Sequence, residues 1–136
     1  MKRILLMAAL SALCPLPALA ADTADEHVTT VQRILARMDR DNDGKVGFEE
    51  YRNAMTRRFH AVDKNADGLL QATELPEEWV VVQAAEIPAG GLGLEGFSDH
   101  MRTSFSGFDS NQDGRLDHDE LIALAKARAA KEEAKP

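Results

Sequence analysis

Asp39-Arg40-Asp41-Asn42-Asp43-Gly44-Lys45-Val46-Gly47-Phe48-Glu49-Glu50 is the stretch whose reading decides the fold. Carboxylates alternate at its start, a glycine follows, and a glutamate closes it, in the spacing D-x-[DN]-x-[DN]-G-x5-E. Oxygen donors so spaced suit a hard cation such as Ca2+, which takes roughly six to eight of them. Asp39, Asp41 and Asp43 offer carboxylates from alternate positions. Gly44 permits the sharp turn that wraps backbone round an ion. Lys45 contributes its main-chain carbonyl, leaving its charged side chain to point outward. Gly47 has no side chain, so a water takes its ligand place, and Glu50 closes the shell with two oxygens. The plain alternative is an Asp- and Gly-rich surface turn, which is common.

Repetition argues against a chance turn. Asp63, Asn65, Asp67, Gly68 and Glu74 repeat the pattern 24 residues on, with Leu69 supplying the main-chain carbonyl and Gln71 binding directly or holding a water. Asp109, Asn111, Asp113, Gly114 and Glu120 repeat it again, with Arg115 at the carbonyl position and Asp117 adding a carboxylate. With these motifs the chain resembles EF-hand calcium-binding proteins of the calmodulin superfamily, of bacterial exported type, over nearly everything after residue 25. The resemblance implies an all-α fold, a compact array of about five helices joined by loops 39–50, 63–74 and 109–120, and binding of about three Ca2+ ions, with Mg2+ as a competitor. In this family the eighth loop residue, here Val46, Leu70 or Leu116, lies in a short β segment between paired loops, buried under the site.

The amino terminus reads as a cleaved secretory signal over residues 1–20. Lys2 and Arg3 precede an apolar run from Ile4 to Leu13, and Ala18-Leu19-Ala20 is a small-x-small cleavage site. The run is too short to span a membrane. Cys14 lacks the small preceding residue that lipoprotein signals want, since Leu13 sits there, so it is read as discarded with the signal. The 116 residues that remain are enough for one domain with one modest core, and they contain no cysteine. Metal binding is then the expected staple. Loss of Lys2 and Arg3 takes the net charge from −7 to −9, which disfavours nucleic acid. The expected location is periplasmic or secreted.

Residues 21–26 read as a flexible amino terminus, residues 27–131 as the folded domain, and residues 132–136 as a frayed end. A helix from about Asp25 to Met38 places Val28, Val31, Leu35 and Met38 on one face. Another from Phe48 to Val62 buries Phe48, Tyr51, Met55, Phe59 and Val62, leaving Arg52, Arg57 and Arg58 on a solvated face. A third starts near Thr73 or Pro76, where proline is tolerated in a first turn. Its Trp79-Val80-Val81-Val82 run is read as core, with a partner-binding face as the sharper alternative. Further helices run from Glu95 to Phe108 and from His118 onward.

Residues 85–96 resemble a linker, yet their register matches a loop. Gly90 falls at the glycine position and Leu92 at the eighth, while Leu94 and Phe97 match Phe48 and Tyr51. Ala85, Ile87, Ala89 and Gly96 stand where oxygen donors belong, so this is read as a degenerate hand that cannot hold Ca2+ through its side chains.

Twelve residues separate Glu50 from Asp63 with no helix breaker, so one helix serves two loops and keeps them about 20 Å apart. A zigzag of helices then places the first loop beside the degenerate one, and loop 63–74 beside loop 109–120, with Leu70 meeting Leu116.

The leading function is an exported protein that binds calcium and is ordered by it. The alternative is a calcium-dependent sensor that exposes an apolar face to a protein partner. An enzyme is disfavoured: the acids are accounted for as ligands, and Ser104 and Ser106 near His100 lack a base-orienting motif. The four histidines have no zinc-site spacing.

Overall fold

The computed structural model describes residues 19–134 apart from Glu77, with side chains described from His27. Most of the expected signal, residues 1–18, lies outside the described residues, as do Lys135 and Pro136. Among the described residues four α-helices form, α1 Leu19–Met38, α2 Phe48–Val62, α3 Leu94–Phe108 and α4 His118–Glu133. Four two-residue strands lie in the loops, β1 Val46–Gly47, β2 Leu69–Leu70, β3 Leu92–Gly93 and β4 Arg115–Leu116. No helix among the described residues is long and apolar enough to cross a membrane.

Each helix buries one stripe at helical spacing. On α1 these are Val31, Ile34 and Met38, with Leu35 half-buried; Val28, expected in the stripe, is 40 % exposed, so the face is rotated towards Ile34. On α2 they are Tyr51, Ala54, Met55 and Phe59, and on α3 Phe97, Met101 and Phe105. On α4 they are Leu121, Leu124 and Ala125. Rings knit the two central helices: Phe105 meets Phe48 at 5.3 Å and Tyr51 at 5.5 Å, and Phe97 meets Phe59 at 5.2 Å. Each fully buried Phe or Leu contributes about 1.5–3 kcal/mol of transfer free energy.

The expected third helix is replaced by a 3-10 turn at Ala72–Glu74, an irregular segment, and a second 3-10 turn at Ala84–Glu86. Proline disfavours helical backbone in the residue before it, and Leu75 is accordingly extended, at φ −69° and ψ 128°. After Pro76 a single turn forms, Trp79 N–H donating to Pro76 O at 3.1 Å. The next three residues are β-branched; Val81 and Val82 are buried and Val80 half-buried. Irregular chain can turn consecutive side chains inward, whereas a helix would swing them around its axis. Trp79 is only 4 % exposed and stacks 5.4 Å from Phe97. The Trp79–Val82 run is therefore packed in the core of this structure, as the first of its two readings expects.

The loop pairing also differs from the zigzag. β1 pairs antiparallel with β4, setting Val46 against Leu116, and β2 pairs with β3, setting Leu70 against Leu92. As expected, α2 keeps loops 39–50 and 63–74 at its opposite ends. The missing third helix explains the new partners. A zigzag needs a rigid rod after every loop, but the irregular chain from Leu75 folds back and lays 85–96 beside loop 63–74. α3 then packs along α2. Both helices have 15 residues, about 22 Å, so α3 returns the chain to the level of loop 39–50, where loop 109–120 meets it.

Candidate metal centre

Each acidic loop leaves a helix at its first aspartate. Asp39, Asp63 and Asp109 donate their backbone N–H to Leu35, Phe59 and Phe105 carbonyls at 2.9, 3.0 and 2.9 Å. The last helical hydrogen bond thus anchors the first carboxylate. Three residues on, the backbone enters left-handed space at Asn42, Ala66 and Gln112, with φ of 58°, 56° and 57°. It does so again at Gly44, Gly68 and Gly114, with φ of 80°, 78° and 80°. Asparagine and glycine tolerate this region; for Ala66 and Gln112 it costs about 1–2 kcal/mol each. The turn brings each glycine N–H back to the first aspartate's Oδ2, at 3.0, 2.9 and 3.0 Å.

The middle donors orient locally. Asp41, Asn65 and Asn111 accept from the N–H two residues on, at 3.2, 3.0 and 2.8 Å. Asp43, Asp67 and Asp113 accept from Lys45, Leu69 and Arg115 N–H at 2.9, 2.8 and 2.9 Å. The closing glutamates clamp both ends of each loop. Glu50 accepts from Arg40 N–H at 2.7 Å and Gly47 N–H at 3.0 Å. Glu74 accepts from Lys64 and Gln71 N–H, both at 3.0 Å. Glu120 accepts from Ser110 N–H at 2.8 Å and Asp117 N–H at 3.0 Å, and Asp117 in return caps α4.

In loop 39–50 carboxylate oxygens converge. Those of Asp39, Asp41 and Asp43 lie within 4.8 Å of one another. The Oδ1 atoms of Asp39 and Asp63 are buried without a hydrogen-bond partner. A buried, unsatisfied carboxylate oxygen costs stability unless something positive meets it. Asp109 Oδ1 instead accepts from Asp113 N–H at 3.1 Å. Burial pushes the Glu120 carboxyl upward, but N–H donors from Asp117, Asn111 and Ser110 outweigh it and hold the carboxyl below its ordinary value. Asp113 is likewise held low, chiefly by the Arg115 N–H, with the Lys45 and Arg115 charges adding to it. The donor set is all oxygen and carries formal negative charge, which fits a hard divalent cation better than a soft one.

Among the described residues the structure brings the carboxylates of Asp39, Asp41 and Asp43 together; Glu50, Glu74 and Glu120 are tied to their own loops through backbone N–H groups, and two side chains differ from expectation. Lys45 and Arg115 do not simply point to solvent. Lys45 Nζ reaches Asp113 Oδ2 of the facing loop at 3.4 Å, and Arg115 pairs with Asp43 in return. This reciprocal clasp escaped the sequence reading because it depends on loop pairing. Gln71, expected at a ligand or water place, lies against the degenerate loop instead: a Cβ on Gly91 would fall 2.7 Å from Gln71 Nε2.

In residues 85–96 the register holds at Leu92, which is buried opposite Leu70, and at Leu94, which opens α3 as Phe48 opens α2. The turn itself is shifted. The left-handed glycine is Gly91, at φ 87°, not Gly90, because Gly91 N–H closes a turn onto Pro88 O at 2.9 Å. Ala85, Ile87, Ala89 and Gly96 bring no side-chain oxygen.

With this geometry in view, comparison with known families is specific. Residues 30–58 match the EF hand domain. Residues 101–125 match a second model described as EF hand. These two segments hold loops 39–50 and 109–120; loop 63–74 lies outside them. The chain is also similar to the 16 kDa calcium-binding protein of Schistosoma mansoni, at 26 % identity over 107 residues, which covers 69 % of this chain and 68 % of that protein. The EF-hand segments and this distant relative support an EF-hand calcium-binding protein. Such proteins are typically not enzymes, and this chain is read as a binding protein.

Proposed function

We propose that this chain is an exported protein that binds three Ca2+ ions, through loops 39–50, 63–74 and 109–120, and is ordered by them. Loop 85–96 is the blank fourth hand. The observation that carries the reading is the pair of buried, unpartnered oxygens, Asp39 Oδ1 and Asp63 Oδ1, each in a loop already closed by its glutamate. The side-chain ligands are Asp39, Asp41, Asp43 and Glu50; Asp63, Asn65, Asp67 and Glu74; and Asp109, Asn111, Asp113 and Glu120. Lys45, Leu69 and Arg115 add main-chain carbonyls. The matches to EF hand models and the name of the schistosome relative support calcium as the ion. Mg2+ competes poorly, because it prefers strict octahedral geometry and keeps its waters. Carboxylates crowded within 4.8 Å repel one another until a cation enters, so calcium orders the loops and the helices they join. The leader sequence supports export to a periplasm or to the medium.

Calorimetric Ca2+ titration tests this reading, run beside a variant with Asp39, Asp63 and Asp109 all changed to Ala. Three sites lost in the variant are expected, together with a calcium-dependent rise in melting temperature for the parent chain only. Absence of binding at millimolar Ca2+ refutes the proposal. Mass measurement of protein recovered from outside the cytoplasm, beginning at Ala21, tests export.

A further inference from the structure

Away from the loops, α1, α2 and α4 border a cavity of about 1140 Å³. Six cations line it: Arg33 and Arg37 from α1, Arg57 and Arg58 from α2, and Lys126 and Arg128 from α4. Three carboxylates stand against them, those of Glu78, Glu132 and Glu133. The whole chain carries a net charge of −7, so the cavity reverses the sign of the molecule around it. Small-molecule sites run to roughly 1,000 Å³, so the space is large enough for an organic ligand together with its charged group.

The local acids leave these cations uncompensated. Among the described residues only Glu78 makes an ion pair at the cavity, with Arg58. Glu132 and Glu133 are exposed near the end of α4. Arg57 donates to the Arg37 carbonyl at 3.3 Å, which ties α2 to α1 beside the cavity. Arg128 is half-buried and makes no hydrogen bond or ion pair among the described residues. Arg37 and Arg58 are near enough for their charges to act on it. Burial and those two like charges hold its pKa below the ordinary arginine value, with Tyr51 and Glu78 opposing in part. A half-buried guanidinium without acceptors is costly, and an anion that supplies them relieves that cost.

We infer that this cavity binds a phosphomonoester, with Arg37, Arg58 and Arg128 holding its dianionic head. A carboxylate offers two oxygens in one plane, which suits one guanidinium fork. A phosphomonoester offers three terminal oxygens on a tetrahedral head and carries about two negative charges at neutral pH. It therefore meets guanidiniums arriving from three helices, and its charge offsets their mutual repulsion. Arg58 gives one N–H to Glu78 and keeps others for the phosphate, since a guanidinium has several donors. A phosphodiester is a poorer match, with two terminal oxygens and one charge. That sets nucleic acid aside, as does the net charge of −7. Recognition rests on the rim and asks nothing of the buried core beneath it. The cavity is built from helix faces, not from the ion-binding loops, so failure of calcium binding and failure of this inference are separate results.

Calorimetric titration of the full chain with glycerol 3-phosphate in millimolar Ca2+ tests this, with dimethyl phosphate as the diester control. Saturable binding of the monoester is expected, at least about tenfold tighter than the diester and weakening as salt rises. Arg128→Gln and, separately, Arg37→Gln should each weaken it about tenfold. Arg102→Gln on α3, outside the cavity, removes the same charge and should leave it unchanged. Circular dichroism checks that the variants stay folded; should Arg128→Gln unfold, Arg37→Gln and the two probes still decide. Flotation with phosphatidylcholine vesicles, with and without phosphatidic acid, locates the source of the ester. Flotation that needs both phosphatidic acid and Arg128 assigns it to a lipid headgroup, and binding of the soluble ester alone assigns it to solution. Equal binding of the two soluble probes overturns the inference. So does an unchanged affinity in both Arg128→Gln and Arg37→Gln, an equal loss in Arg102→Gln, or no binding in either arm.

Discussion

Two loop pairs cap opposite ends of the α2–α3 unit, and they differ in what they ask of their residues. At one end two acidic loops face each other through Val46 and Leu116. At the other, acidic loop 63–74 faces a loop with no side-chain ligand, through Leu70 and Leu92. The strand registers correspond and the inward side chains are alike. Pairing is therefore independent of ligands; it needs a buried aliphatic at the eighth position and backbone able to turn. The seventh position separates the pairs. Where acid faces acid it carries Lys45 and Arg115, each reaching the opposite loop's aspartate. Where acid faces a neutral loop it carries Leu69 and no clasp.

The largest expected effect breaks the symmetry of the buried strands. Leu116→Ala should destabilise the chain by about 2–5 kcal/mol, since Leu116 is 0 % exposed and its removal leaves a cavity. Urea unfolding gives the magnitude, and hydrogen exchange should show the loss concentrated in loops 39–50 and 109–120. Leu92→Ala, at a residue 6 % exposed, should concentrate it in the other pair. A uniform loss from both would mean that the two ends are one cooperative unit.

A smaller effect sharpens the account of the blank loop. Gly91→Ala should cost about 1–3 kcal/mol, because φ is 87° and the new Cβ would meet Gln71 Nε2 at 2.7 Å and Leu69 Cβ at 2.9 Å. Gly90→Ala meets nothing within 4 Å and should be close to neutral. If thermal melts reverse that order, the turn sits at Gly90 after all.

The smallest effect probes the clasp. Arg115→Ala should strengthen Ca2+ binding at loop 39–50 by less than about tenfold, as surface ion pairs are worth about 0.2–1 kcal/mol. The change should fade at high salt. Calcium titrations of Arg115→Ala in an Asp63→Ala background measure it. An effect confined to loop 109–120 would show that Arg115 acts only through its own loop.

The acidic loops were legible because a hard cation demands oxygens at fixed spacing, and that demand is written in consecutive residues. The same local logic marked α2, α3 and α4 through their apolar stripes, and Leu92 through its register. Missing helix formation after Pro76 was harder to read. Pro76 is acceptable at a helix start, and only burial of Trp79, Val81 and Val82 together decides against one. From that absence follow the turn at Gly91, the meeting of loop 39–50 with loop 109–120, and the clasp of Lys45 and Arg115. The sequence by itself determined where oxygen donors recur at fixed spacing and which face of each helix is apolar, because both are short-range patterns. Only the tertiary structure decided which loops pair and how the arginines of α1, α2 and α4 gather round one groove, because those distances depend on how an irregular segment folds back between helices of equal length.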